Sequence, residues 1–197
     1  MMIPRSRFRT ALVTGLVCAA AMLAMGYWIP VKAEVAQILL ERAWFRARSG
    51  QADAKPWPWA DTAPIARLSI PGFGVSWVVL SGASGRNLAF APSHLDGSAP
   101  PGATGASVIA GHRDTHFAIL EELQAGTEIV LEDSGGRIFH YEVVRTHIVD
   151  ADRAHLRLDS ESPSLLLVTC YPFDALTAGG SLRFVVEANS VPDSHGT

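Results

Sequence analysis

The chain has 197 residues, 48% of them hydrophobic, and a formal net charge of −3. That length suits one ordinary domain with an appended segment, and the apolar fraction is enough for a core. Residues 1–50 carry seven Lys/Arg against two Asp/Glu, whereas residues 51–197 carry nine against seventeen, and a region so acidic lacks the basic face that nucleic-acid binding needs.

Arg5, Arg7 and Arg9 precede an uncharged run from Ala11 to Ile29. Its 19 residues approach the ~20 that cross a hydrocarbon core as a helix. Tyr27 and Trp28 stand at its far end, where aromatic rings favour the interface. Residues 1–30 are therefore expected to form a single-pass transmembrane anchor in the cytoplasmic (inner) membrane. The arginines keep the N-terminus cytoplasmic and place the rest of the chain outside. A cleaved signal peptide ending near Val31-Lys32-Ala33 is the alternative.

Ala33 to Arg48 reads as a helix, with Val35, Ile38, Leu39, Arg42 and Phe45 at helical spacing and Ser49-Gly50 as its stop. Lys55-Pro56-Trp57-Pro58-Trp59 excludes regular structure, because proline removes donors and restricts its neighbour. Residues 31–60 thus form a stalk and a Pro/Trp linker, the helix either free or packed on the domain.

Short β-type runs follow at Ile65–Ile70, Val75–Leu80, Ala106–Ala110 and Glu128–Glu132. Gly135-Gly136 turns the last of these into a long run, Arg137–Val149. Leu165–Thr169 and Leu182–Val186 complete seven strands, with one short helix at Phe117–Leu123. Such spacing argues for a sandwich or closed barrel over residues 61–188. Residues 189–197 form a polar tail.

Cys170 ends an apolar run. The other cysteine, Cys18, lies in the N-terminal apolar segment, so the domain has one thiol and no internal disulfide. A lone thiol at a strand end is a small buried hydrophobe or a nucleophile. His112 leaves a strand through Gly111. It is either a structural histidine or the imidazole that helps a thiol ionise and protonates a leaving amine. Arg183 is the one charge in Ser181-Leu182-Arg183-Phe184-Val185-Val186. It is either a solvated edge residue or a fork of donors for an oxyanion.

The combination Ala110-Gly111-His112-Arg113-Asp114, Leu167-Val168-Thr169-Cys170 and Leu182-Arg183-Phe184 resembles the sortases. These are membrane-anchored cysteine transpeptidases that attach proteins to cell-envelope acceptors. The order His, Cys, Arg matches, as do the anchor, the short β-runs, and Ser93-His94 with Pro101-Gly102 upstream. The likeness covers about residues 60–188. The stalk and the Lys55–Trp59 stretch look most like the class GN sortases of Gram-negative bacteria. Leu166 departs from the family pattern, standing where many sortases have the first Thr of Thr-Leu-x-Thr-Cys.

The resemblance implies a mainly β fold, a closed barrel of about eight strands with short helices, preceded by the anchor. One strand is then missing, to be found in Asn87–Ala91 or in a split of Arg137–Val149. The resemblance also implies His112, Cys170 and Arg183 as catalytic residues, with Thr169, His94 and Asp114 as candidate substrate contacts. The expected partners are an exported protein with a C-terminal Leu-Pro-x-Thr-Gly-like motif, an amine acceptor in the envelope, and membrane lipid. No metal or cofactor is needed for this chemistry. A zinc site on His112, His116 and Cys170 is a weaker reading, because no second domain cysteine exists. Two rivals remain: a hydrolytic cysteine peptidase or amidase with the same residues, and a non-catalytic envelope-binding barrel.

Overall fold

A computed structural model describes residues 5–51, 53–153, 158–175 and 179–192. The chain forms two compact units, Met1–Ile38 and Leu39–Thr197. Helix α1 runs over Arg5–Arg48. Among the described residues no helix is long and apolar enough to cross a membrane, so the expected transmembrane helix finds no support in the structure. Residues 1–4 and several side chains of the expected anchor lie outside the described residues.

Among the described residues the second unit has eight strands: β1 (Pro64–Ile70), β2 (Val75–Ser81), β3 (Ser93–His94), β4 (Gly105–Ala110), β5 (Glu128–Asp133), β6 (Ile138–Asp150), β7 (Pro163–Cys170) and β8 (Leu182–Val191). They close in the order β1-β2-β3-β4-β7-β8-β6-β5, which leaves no open sheet edge to pair with another chain. The expected eighth strand is in neither predicted place. It is β3, two residues wedged parallel to β2 and antiparallel to β4. Two residues are too few to show a period of two. The 87–91 stretch instead begins inside a helical turn, α2 (Gly85–Leu88), whose Asn87 N–H bonds the Ser84 hydroxyl at 3.3 Å. β6 is unbroken and carries a bulge between Val143 and Arg145. The expected helix near 117–123 is a short 3₁₀ segment, Ala118–Glu122.

Alternation along the strands builds the interior. Ala66, Leu68 and Ile70 of β1 are fully buried there, with Leu165 and Leu167 of β7, Ile129, Leu131, Tyr141 and Phe117. A fully buried leucine contributes about 2 kcal/mol from its removed apolar surface. β7 is apolar on both faces. Its even-numbered Leu166 and Val168 join a second cluster with Ala106, Val108, Val185, Val149 and Leu158. A strand covered on both sides needs a continuous apolar run, and that is what Leu165–Val168 supplies.

A third cluster unites Leu40 and Trp44 with Val78, Leu80 and Ala91. Residues 39–48, read from sequence as part of the stalk, thus pack within the barrel unit. Arg67 adds a bond to Glu41 at 2.5 Å and lies over the Trp44 ring. In the linker, Trp57 packs edge-on against Phe90, with ring centres 4.9 Å apart, while Trp59 is exposed.

The β5–β6 turn depends on Asp133. Its carboxylate accepts the Arg137 N–H at 2.9 Å and the Arg137 Nε–H at 2.7 Å, and Gly136 supplies the positive φ of 88°. Burial alone would raise the carboxyl's pKa. The Arg137 backbone and guanidinium bonds, with the Gly135 N–H, outweigh it and hold the pKa below the usual carboxylate range. A carboxylate with a depressed folded pKa stabilises the protein above its unfolded pKa of ~3.9, and that stability is lost as pH falls through the folded value. Asp133→Asn is expected to lower stability by about 1–2 kcal/mol at pH 7 after allowing for the exposed Arg137. The gap from wild type should narrow as pH falls from ~4 towards the lower folded value. Denaturant midpoints across pH 2–7 check this, and a gap that does not narrow below pH ~4 would exclude the charge as its cause.

Candidate active site

β4 and β7 run parallel, in register from Gly105↔Pro163 to Ala110↔Val168. The Gly111 N–H bonds the Val168 carbonyl at 3.1 Å and carries the ladder one step further. His112 and Cys170 come next, at the same end of adjacent strands. β8 returns antiparallel beside β7 with Cys170 opposite Arg183. Adjacent strands lie about 5 Å apart, so three residues spread over more than 70 positions of sequence converge on one barrel rim.

Cys170 and Arg183 also share a face. Cys170 continues the row of Leu166 and Val168, and Arg183 the row of Val185, residues of the outer apolar cluster, while His112 stands in the turn just beyond the last residue of β4, Ala110. Leu166, the departure from the family pattern, belongs to this floor and is buried there. Alternation sends Thr169 the other way. Its side chain is buried, and Oγ1 donates to the Gly111 carbonyl at 2.8 Å. Thr169 therefore joins β7 to the loop bearing His112 from inside the barrel, away from the face that Cys170 occupies.

Cys170 is a free, half-buried thiol. Arg183 is half-buried, and its Nη1 donates to the Gly180 carbonyl at 2.8 Å and the Leu182 carbonyl at 2.9 Å. These bonds orient the guanidinium through one nitrogen, and among the described residues Nε and Nη2 make no hydrogen bond. Beneath, Phe184 packs on Phe173 at 5.2 Å and on Tyr171 at 6.4 Å. The Tyr171 N–H bonds the Leu182 carbonyl at 3.1 Å, extending the β7–β8 ladder past the thiol.

His112 is half-buried at the head of a turn closed by the Phe117 N–H on the His112 carbonyl at 3.0 Å. Glycine is required before it, because a Cβ on Gly111 would come within 2.7 Å of the buried Phe117 ring. His116, on the same turn, stands edge-on to Trp77 with ring centres 6.3 Å apart. Burial, and then the charge of His112, push its pKa below the usual imidazole value, so His116 stays neutral at neutral pH.

Of the three candidate substrate contacts, Asp114 is solvent-exposed on this turn, and Thr169 faces inward. His94 is buried, with Nε2 2.9 Å from the Ala99 carbonyl and 3.0 Å from the Ser98 hydroxyl. That hydroxyl also accepts the Val108 N–H at 3.1 Å. In this geometry His94 fastens the 95–99 loop alongside β4. Arg113 is a residue that sequence reasoning passed over. It is buried, and its Nη2 donates to the Ala175 carbonyl at 3.0 Å. Periodicity gave no signal for it, since charged loop residues are normally solvated. Among the described residues no group of three or more His, Cys, Asp or Glu is placed to hold a metal ion.

A family model of the sortase domain matches residues 68–191. The chain belongs to the sortase family. Sortases are cysteine transpeptidases, and the His, Cys, Arg order lies within the matched span. Sortase D of Bacillus subtilis (strain 168) is 37% identical over 125 residues, covering 63% of this chain and 62% of that relative. This chain thus matches under two thirds of that relative's length. Sortase C-1 of Actinomyces oris is 29% identical with a TM-score of 0.58, covering 66% of this chain and 73% of that one. A Sortase D5 transpeptidase of Clostridium perfringens shares the fold at a TM-score of 0.65 and 22% identity, covering 81% of this chain and 99% of that one. The expected likeness to the class GN sortases is not supported, since these relatives are sortases of Gram-positive bacteria. That expectation rested on the stalk and the 55–59 stretch, which lie outside the matched residues.

Proposed function

We propose that this chain is a membrane-anchored sortase that cleaves a C-terminal Leu-Pro-x-Thr-Gly-like motif of an exported protein and transfers the new acyl group to an amine acceptor of the envelope. The observation that supports the reading is the pairing of Cys170 with Arg183 across β7 and β8, with His112 two residues past the end of the parallel neighbour β4. The Cys170 thiolate attacks the carbonyl carbon before the scissile bond, forming the C–S bond. The carbonyl oxygen takes up the negative charge, and the Arg183 fork stabilises it. His112, protonated, gives its proton to the departing amine as the C–N bond breaks, leaving a thioester. The acceptor amine then attacks the thioester, His112 takes its proton, and Cys170 leaves as thiolate. Apolar side chains along the floor suit an apolar residue of the motif. The uncharged 11–29 run and the arginines before it support anchoring in lipid, with the N-terminus cytoplasmic and the barrel outside.

The test uses the purified full chain with a Leu-Pro-x-Thr-Gly peptide and an amine, read by intact-protein mass spectrometry. A peptide adduct on Cys170 that moves to the amine is the expected result. An adduct that only water resolves would make the protein a hydrolytic cysteine peptidase. No adduct with any peptide, together with a thiol that resists iodoacetamide, would leave an envelope-binding barrel.

A further inference from the structure

We propose that Arg113 is a positioning residue, whose buried guanidinium sets the placement of His112 relative to Cys170 by fastening the loops that follow β4 and β7. The proposal rests on the catalytic roles given above to those two residues. The links between the two strands stop just short of the reactive groups. The Gly111 N–H to the Val168 carbonyl and the Thr169 hydroxyl to the Gly111 carbonyl are the last of them. His112 and Cys170 each stand one residue beyond. Cys170 still has the β8 ladder beside it, through the Tyr171 N–H on the Leu182 carbonyl. His112 has entered a turn closed on itself at Phe117.

Arg113 spans this gap. It leaves the chain directly after His112 and reaches, at 3.0 Å, the carbonyl of Ala175, 62 residues away and five beyond the thiol. Its residue surface is only 8% exposed. A buried guanidinium is costly, and an apolar residue of similar size often gives equal or greater stability. What the charged fork supplies, and an apolar side chain does not, is a directed bond between two particular loops. A proton carrier needs such fixing, because a displacement of about 1 Å from productive geometry can cost on the order of 10²-fold in rate.

The experiment compares full-length wild type, Arg113→Lys and Arg113→Met. Its readouts are acylation by the sorting-motif peptide, iodoacetamide alkylation of Cys170 across pH 5–9, and melting temperature. Arg113→Met is expected to lose about 10²-fold in kcat with KM within about threefold, and Arg113→Lys should recover part of it. The pH profile of alkylation should change shape in Arg113→Met, since the thiol loses its fixed imidazole partner. A merely structural role would lower the melting temperature and leave the profile of the folded fraction as in wild type. That result, or a kcat within threefold of wild type, overturns the proposal. If wild type itself takes no peptide, the transpeptidase reading fails, and the alkylation profile alone decides the positioning role.

Discussion

Replacing Cys170 with alanine is expected to abolish acyl transfer, with the rate of adduct formation falling by at least about 10⁴-fold. The reaction needs a nucleophile that forms a covalent bond, and the neighbouring hydroxyl cannot take over. Thr169 points into the barrel, and its Oγ1 is held by the Gly111 carbonyl. The loss should appear in chemistry and not in folding. Cys170 is only half-buried, so removing its sulfur should cost less than about 1 kcal/mol. Intact-protein mass spectrometry and a thermal melt on the same sample check both parts. An acyl adduct on the alanine variant would move the nucleophile elsewhere. Loss of the melt transition would mean that the thiol was a packing residue.

His112→Ala is expected to slow both acylation and transfer by about 10²–10⁴-fold, the usual worth of a positioned proton carrier. An amine leaves a tetrahedral carbon readily only when protonated, and the attacking acceptor must lose a proton in the reverse sense. In the proposed mechanism one imidazole serves both steps. The substitution should spare the turn, because His112 closes it through its backbone carbonyl on the Phe117 N–H. His116 is a poor substitute. Burial and the neighbouring His112 hold down its affinity for a proton, and its ring stands against Trp77. Single-turnover rates for each step, with and without added imidazole, test the assignment. Partial recovery by imidazole is expected. A variant within tenfold of wild type would mean that another group carries the proton.

Much of the barrel was legible along the chain, because strands half-buried against a core advertise themselves by alternation, and the seven predicted runs correspond to β1, β2 and β4 to β8. β3 escaped since its two residues, Ser93 and His94, are polar and buried, with no period to detect. The residues proposed for catalysis stood out by type and by family resemblance, and the structure shares out the other candidates. Thr169 and His94 are engaged in holding loops, while Asp114 remains on the surface. Arg113 had no local signature, because its burial arises from a loop 62 positions away.

By itself the sequence determined seven of the barrel's strands, the single domain thiol and the acidic character of residues 51–197, which follow from local composition and periodicity. The family was legible through the resemblance of the motifs around His112, Cys170 and Arg183. Only the tertiary structure decided that Cys170, Arg183 and His112 lie at the same end of three neighbouring strands. That outcome depends on a parallel pairing of β4 with β7 and an antiparallel return of β8. Register between distant strands is set by how their apolar faces share a common core, and a one-residue slip would have turned Cys170 inward and Thr169 outward.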